Sequence, residues 1–137
     1  MTSTDCVTRG LRWLPLWRGI GWILVAIIVV LSLMPAPPTA PGGDKLHHFI
    51  AYFGLMFLFS QWHSGRQLKV LALAFVLMGC IIEIVQPFTG RYFSWLDIVA
   101  NTTGVLVAWL LAMGSGGKML YWFETALMRL TGNARPG

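Results

Sequence analysis

Apolar positions along this chain come in long blocks separated by short polar or Pro/Gly-rich breaks. Four stretches can be cut at those breaks: Leu16 to Met34, Phe49 to Trp62, Leu68 to Val85, and Trp95 to Met113. Each approaches the ~20 residues that carry a helix across a hydrocarbon core of ~30 Å, the second being shortest unless its helix begins at Asp44. Lipid offers backbone groups no water to bond, so such segments must be helices; a barrel would need an alternation of polarity that is absent here. The expected fold is all-α: a four-helix transmembrane bundle over residues 16–113, with a tail over 1–15 and a further segment over 114–137.

The breaks carry their own signals. Residues 35–43, rich in Pro and Gly, cannot continue either flanking helix. Asp44 follows as a candidate N-cap, with His48 one turn later and Tyr52 two turns later on the same face. Helix three is expected to run until Pro87, placing Glu83 and Gln86 on one face near its end, and the loop over 88–94 is short and aromatic. Helix four starts near Trp95, with Asp97, Asn101 and Gly104 on one stripe. In the last segment Leu120, Phe123, Leu127 and Leu130 repeat at helical spacing, with Lys118, Thr125 and Arg129 towards the other side. That pattern fits an amphipathic helix at the cytoplasmic surface, Tyr121 and Trp122 suiting the interface, or a short fifth helix packed on the bundle. Residues 131–137 are expected to be disordered.

Composition supports a membrane protein: 137 residues, 56% hydrophobic, 11% charged, with a mean hydropathy of +0.68. An ordinary soluble domain of this length is excluded. Arg9, Arg12, Arg18, Arg66, Lys69, Lys118, Arg129 and Arg135 all fall on one side of the four spans, against Lys45 and Arg91 on the other. Positive residues mark the cytoplasmic side, so both termini are expected inside, with loops 35–48 and 86–96 outside. This topology accounts for the net charge of +5 and leaves no reason to expect nucleic acid; the partners expected are membrane lipids. The first helix resembles a signal peptide in its basic flank, but cutting after Ala36 or Ala40 would place Pro37 or Pro41 directly after the scissile bond, so it is read as retained. Cys6 and Cys80 fall at different levels and predict no disulfide, Cys80 being a small packing residue. No cofactor is expected: Cys/His metal spacing, a phosphate-binding Gly loop and a nucleophile elbow are all absent from the sequence.

Topology brings the polar residues of three separate stretches to one side: Asp44, Lys45, His48, Glu83, Gln86, Arg91, Asp97 and Asn101. A carboxylate such as Glu83 costs about 3 kcal/mol at a helix centre in lipid, so it needs a reason to be there. Arg91 can hold Asp97 or Glu83 bidentately, or the phosphate or carboxylate of a ligand. Asp97 and Asn101, spaced i and i+4, address one point, and Gly104 lets another helix approach closely. His47 points about 100° away from His48 and reads as interfacial. His63 lies at the other membrane face, and the seven tryptophans read mainly as interface anchors.

Asp44-Lys45-x-x-His48-Phe49-x-x-Tyr52, then Glu83-x-x-Gln86, then Arg91-x-x-Ser94-x-x-Asp97-x-x-x-Asn101-x-x-Gly104, resembles the VanZ-like family over residues 44–113. The resemblance implies a bacterial multi-pass plasma-membrane protein, and its namesake is linked to resistance to the glycopeptide teicoplanin. It also implies that Asp44, His48, Glu83, Gln86, Arg91, Asp97 and Asn101 form the family's shared polar set.

The leading functional expectation is binding or processing of an envelope lipid or lipid-linked cell-wall precursor at the outer leaflet, with all eight polar residues as the binding set. An enzyme is the second: His48 as general base, Asp97 orienting it, Glu83 as acid and Arg91 as anion clamp at a lipid-linked phosphate. In that branch the same His and carboxylates could instead take Mg or Mn. A third reading makes the cluster polar glue between helices. A carrier is disfavoured, because four helices make too small a bundle unless the protein forms a homo-oligomer or joins a partner membrane protein.

Overall fold

The computed structural model describes residues 11–35, 43–115 and 119–131, apart from the side chains of residues 43, 44 and 115. Those residues build α1 (Leu14–Leu33), α2 (Gly43–Phe59), α3 (Gly65–Val85), a 3-10 turn (Gln86–Thr89), α4 (Trp95–Ser115) and α5 (Met119–Leu130), with no strand among them. The all-α expectation holds. Cys6, nearly all of the 35–43 linker and residues 132–137 lie outside the described residues.

Among the described residues, three elements are long and apolar enough to cross a membrane: α1, α3 with its 3-10 turn, and α4. Of the other two helices, α2 starts earlier than Phe49 and has 17 residues, a length of about 25 Å against a core of ~30 Å. It is the centre of the bundle. Tyr52, Leu55, Met56 and Phe59 recur at spacings of three and four, so they share a face, and all four are buried. By contrast, α1, α3 and α4 leave Trp22, Ile23, Leu73, Ile81 and Leu110 exposed on their outer sides, as lipid-facing helices do.

The tightest contact is between α2 and α4. Gly104, Ala108 and Ala112 repeat every four residues along the inward stripe of α4, and all three are buried. A Cβ placed on Gly104 would lie 2.5 Å from the Phe49 carbonyl oxygen and 3.0 Å from the Phe53 nitrogen. Both are backbone atoms of α2, so only glycine allows this approach. Around that seam, the Phe59 ring packs edge-on against Phe75 with centroids 5.3 Å apart. Trp62 joins this core at 4% exposure, which removes it from the expected interface anchors; Trp22, Trp95 and Trp122 remain exposed.

Polar groups are not confined to one end of the bundle. At the end formed by the start of α1 and the finish of α2, Ser60, Gln61 and Glu124 are all buried. The first turn of α1 has no side-chain cap of its own. Glu124, on α5, supplies one from 112 residues away: its carboxylate accepts from the Arg12 N–H at 2.9 Å, the Trp13 N–H at 3.2 Å and the Trp17 indole at 2.7 Å. A negative charge there also meets the positive end of the helix dipole. The Gln61 carbonyl oxygen accepts from the Leu120 N–H at 3.2 Å, holding the start of α5. The last helix is therefore docked on the bundle through Glu124, while Phe123 and Leu130 face outward. Its inward side combines Glu124, bonded to donors at the start of α1, with Leu120, which packs against the hydrophobic core. His63 stays at this end, donating from Nδ1 to the Phe59 carbonyl at 2.9 Å, and Cys80 is a half-buried free thiol.

These contacts predict the outcome of two glycine substitutions. Gly104→Ala should destabilise the protein by about 1–3 kcal/mol, the usual cost of overpacking, because backbone must move. Gly19→Ala, where a Cβ meets nothing within 4 Å, should be neutral or slightly stabilising. Thermal unfolding in detergent, comparing both with wild type, checks the pair; equal effects would contradict the α2–α4 seam.

Candidate functional site

At the opposite end, four chain segments meet: the finish of α1, the early turns of α2, the end of α3 and the start of α4. Pro87 sits at the start of the 3-10 turn, which tightens the end of α3. Gly90 then takes φ +80°, a left-handed conformation suited to glycine, and the Arg91 N–H closes the turn on the Gln86 carbonyl at 3.1 Å. This reversal starts α4 within a few residues, so Glu83 and Asp97 come from adjacent helix ends.

Glu83 is completely buried, at 0% exposure. Its Oε2 accepts from the Ser94 N–H at 3.0 Å. Ser94 immediately precedes α4, and its own carbonyl accepts from the Asp97 N–H at 3.0 Å. Both carboxylates, Glu83 and Asp97, therefore sit at the N-terminal end of α4, where unpaired N–H groups and the helix dipole favour negative charge.

His48 faces this pair from α2. Its Nδ1 meets Asn101 Oδ1 at 3.1 Å, and its Nε2 lies 3.8 Å from Asp97 Oδ2. Because the Asn101 oxygen can only accept, Nδ1 carries the proton and donates. Space for Asn101 is made by Gly79 on α3: an added Cβ would come within 3.1 Å of Asn101 Nδ2 and 3.3 Å of the Tyr52 ring. One ligand atom each of His48, Glu83 and Asp97 lies within 4.8 Å of the other two. Four buried polar atoms here have no hydrogen-bond partner among the described residues: Glu83 Oε1, Asp97 Oδ1, Asn101 Nδ2 and Tyr52 Oη. Buried polar groups are almost always paired, so this many in one place is unusual.

Beside the cluster is a cavity of about 190 Å³, lined by Ser32, Ile28 and Leu31 of α1, His47, His48 and Tyr52 of α2, and Arg91. His47 is exposed and Arg91 half-buried, so the cavity has a cationic rim and a buried floor that includes His48 and Tyr52.

The structure thus brings His48, Glu83, Asp97 and Asn101 together and adds Arg91 through the cavity. Gln86 does different work: its amide donates to the Ser32 carbonyl at 3.1 Å, tying α1 to the 3-10 turn. Lys45 is half-buried on α2 and does not line the cavity, and the Asp44 side chain lies outside the described residues. Sequence reasoning missed three participants. Ser94 acts through its backbone N–H, which no residue type announces. Ser32 acts through its carbonyl and its place on the cavity wall. Gly79 is one of many glycines, and only its spacing four residues before Glu83 hinted at a shared stripe.

Fold and site together define a small helical membrane protein with ionisable side chains gathered at one end of its bundle. The chain belongs to the VanZ/LLP1 family, whose model matches residues 10–121. The match is wider than the 44–113 resemblance, taking in α1 and the first residues of α5. Neither a curated protein nor a solved structure matches the chain.

The Tyr52 hydroxyl gives a direct prediction. Tyr52→Phe removes a buried group with no partner among the described residues, so stability should be unchanged or rise within about 1 kcal/mol. Chemical denaturation in detergent measures it; a loss of about 2 kcal/mol or more would show that the hydroxyl is bonded in the folded protein.

Proposed function

We propose that the protein binds an anionic headgroup, that of an envelope lipid or a lipid-linked cell-wall precursor, in the cavity beside Tyr52 and Arg91. The observation that carries this reading is a cavity lined by Arg91, His47 and Tyr52, whose buried hydroxyl has no hydrogen-bond partner among the described residues. A cluster kept only to hold helices together would satisfy its own groups, since a half-satisfied polar network is worth less than an apolar one. Interhelical hydrogen bonds in membranes average about 0.6 kcal/mol in the best-measured case, a small gain for burying two carboxylates and a histidine.

In this reading Arg91 and His47 hold phosphate or carboxylate, and Tyr52 donates its hydroxyl to the same group. The Lys and Arg distribution supports a site on the outer side of the bacterial plasma membrane, with both termini inside. There, occupancy by a precursor would alter what a glycopeptide antibiotic meets at the surface. A processing step is the second reading, favoured by one observation: Asn101 fixes the His48 tautomer so that Nε2 faces Asp97 as a potential base.

Native mass spectrometry of protein released from bacterial-lipid nanodiscs tests the proposal. Wild type should retain an anionic lipid or precursor mass, and Arg91→Ala should lose most of it while keeping its helical content. No selective mass on wild type, or equal retention by Arg91→Ala, would overturn it.

A further inference from the structure

We propose that His48, Glu83 and Asp97 form a binding site for one divalent transition cation of the Mn²⁺ or Zn²⁺ class, on the inner wall of the headgroup site. The inference deepens the ligand-site reading, but the cation site does not need a lipid to form.

The donor set is the first argument. One imidazole nitrogen and two carboxylates, contributed by α2, α3 and α4, converge with their ligand atoms within 4.8 Å of one another. Metal–ligand bonds to nitrogen and oxygen are ~2.1 Å, so two ligands of one ion stand up to ~4.2 Å apart. The 3.8 Å between His48 Nε2 and Asp97 Oδ2 falls inside that span and is too long for a hydrogen bond. Holding all three on one ion would require the widest separation, which is within 4.8 Å, to shorten slightly. Imidazole nitrogen disfavours Mg²⁺ and Ca²⁺, which take oxygen ligands, and the absence of thiolate among the three disfavours Cu(I).

The second argument is that the site is built around what the ion would supply. Each carboxylate has a buried oxygen with no protein partner among the described residues, Glu83 Oε1 and Asp97 Oδ1. The three residues are 0%, 5% and 7% exposed for Glu83, Asp97 and His48, so water offers them little compensation. A doubly charged cation balances the two carboxylate charges inside a low-dielectric wall.

The third is the outer support. A metal-binding histidine usually donates its other ring N–H to an oxygen that fixes its tautomer, and His48 Nδ1 does so to Asn101 Oδ1 at 3.1 Å. The same arrangement turns Nε2, the other ring nitrogen, to the Asp97 side, where it is the ligand atom the ring would offer an ion. Glu83 is likewise steadied through Oε2 by the Ser94 N–H, leaving Oε1 for the ion. An ion bound here would lie close to the cavity that His48 and Tyr52 also line, where it could meet a phosphate oxygen directly.

The full-length protein in detergent, stripped with chelator and free of added lipid, would be titrated with Mn²⁺ and followed by loss of the free-ion electron paramagnetic resonance signal. Zn²⁺ competition would follow. A single saturable site per chain is expected, with binding abolished or weakened more than about a hundredfold by Glu83→Gln, Asp97→Asn and His48→Gln. Asn101→Ala should weaken it roughly 10–100-fold, as loss of a supporting contact does. Circular dichroism and melting curves keep folded variants apart from collapsed ones, and any one folded ligand variant suffices for the test. No saturable Mn²⁺ or Zn²⁺ site in wild type overturns the proposal, as does binding unchanged in the folded variants, which would mark an adventitious ion only. If the ion fails while an anionic lipid is still retained in native mass spectra, the headgroup reading stands alone. A saturable ion that the variants lose, with no lipid retained, upholds the cation site and removes the headgroup reading.

Discussion

Everything at the polar end depends on how closely α2 and α4 approach each other at Gly104. With no side chain there, the α4 backbone comes against the Phe49 and Phe53 backbone of α2. Phe49 is the neighbour of His48, and Asn101 lies one turn before Gly104, so the seam fixes the relative register of the two helices. His48 is thereby held opposite Asn101 and Asp97. A wider spacing, as any side chain at 104 would impose, separates the imidazole from both. The site is therefore a consequence of a packing choice made in the middle of the bundle.

The energetic logic of the site runs against stability. Burying Glu83 and Asp97 together costs several kcal/mol, on the order of 3 kcal/mol for one such group at mid-membrane. Part is offset at the start of α4, where the Ser94 N–H bonds Glu83 and the helix dipole favours both carboxylates. The remainder is uncompensated within the described residues, since each carboxylate keeps a bare buried oxygen. Glu124 at the other end makes the contrast plain. It is buried almost as deeply as Glu83, yet its two oxygens accept three N–H donors, and its role is to cap α1. One buried carboxylate is fully bonded; the other two each keep an oxygen with no hydrogen-bond partner among the described residues.

Hydropathy made all four helices of the bundle legible, because a lipid-spanning helix must be apolar over its whole length. It also showed where they break, since Pro87 and the Pro/Gly run before Asp44 act locally. The central place of α2 was less visible: a helix buried by protein and one bathed in lipid look alike in composition, and only the short length of α2 hinted at the difference. Within the site, His48, Glu83, Asp97 and Asn101 were readable because each is an ionisable or amide group in an apolar stretch. Gln86 was grouped with them for the same reason, although its partner is a backbone carbonyl of α1. Glu124 gave no such signal, because an acid in an amphipathic tail is ordinary in one dimension. Its partners Arg12, Trp13 and Trp17 are more than 100 residues away, and two of the three contacts are to backbone.

The central claim is that Glu83 and Asp97 are held buried at a cost in stability because a ligand needs them. The measurement that meets it most directly is the unfolding free energy of the ligand-free, chelator-treated protein in detergent, wild type against the combined Glu83→Gln, Asp97→Asn variant. Those changes keep shape and hydrogen-bonding capacity while removing both charges. The account predicts that the neutral variant is at least as stable as wild type. A loss of about 2 kcal/mol or more would contradict it, and would mean that the two carboxylates hold the bundle together.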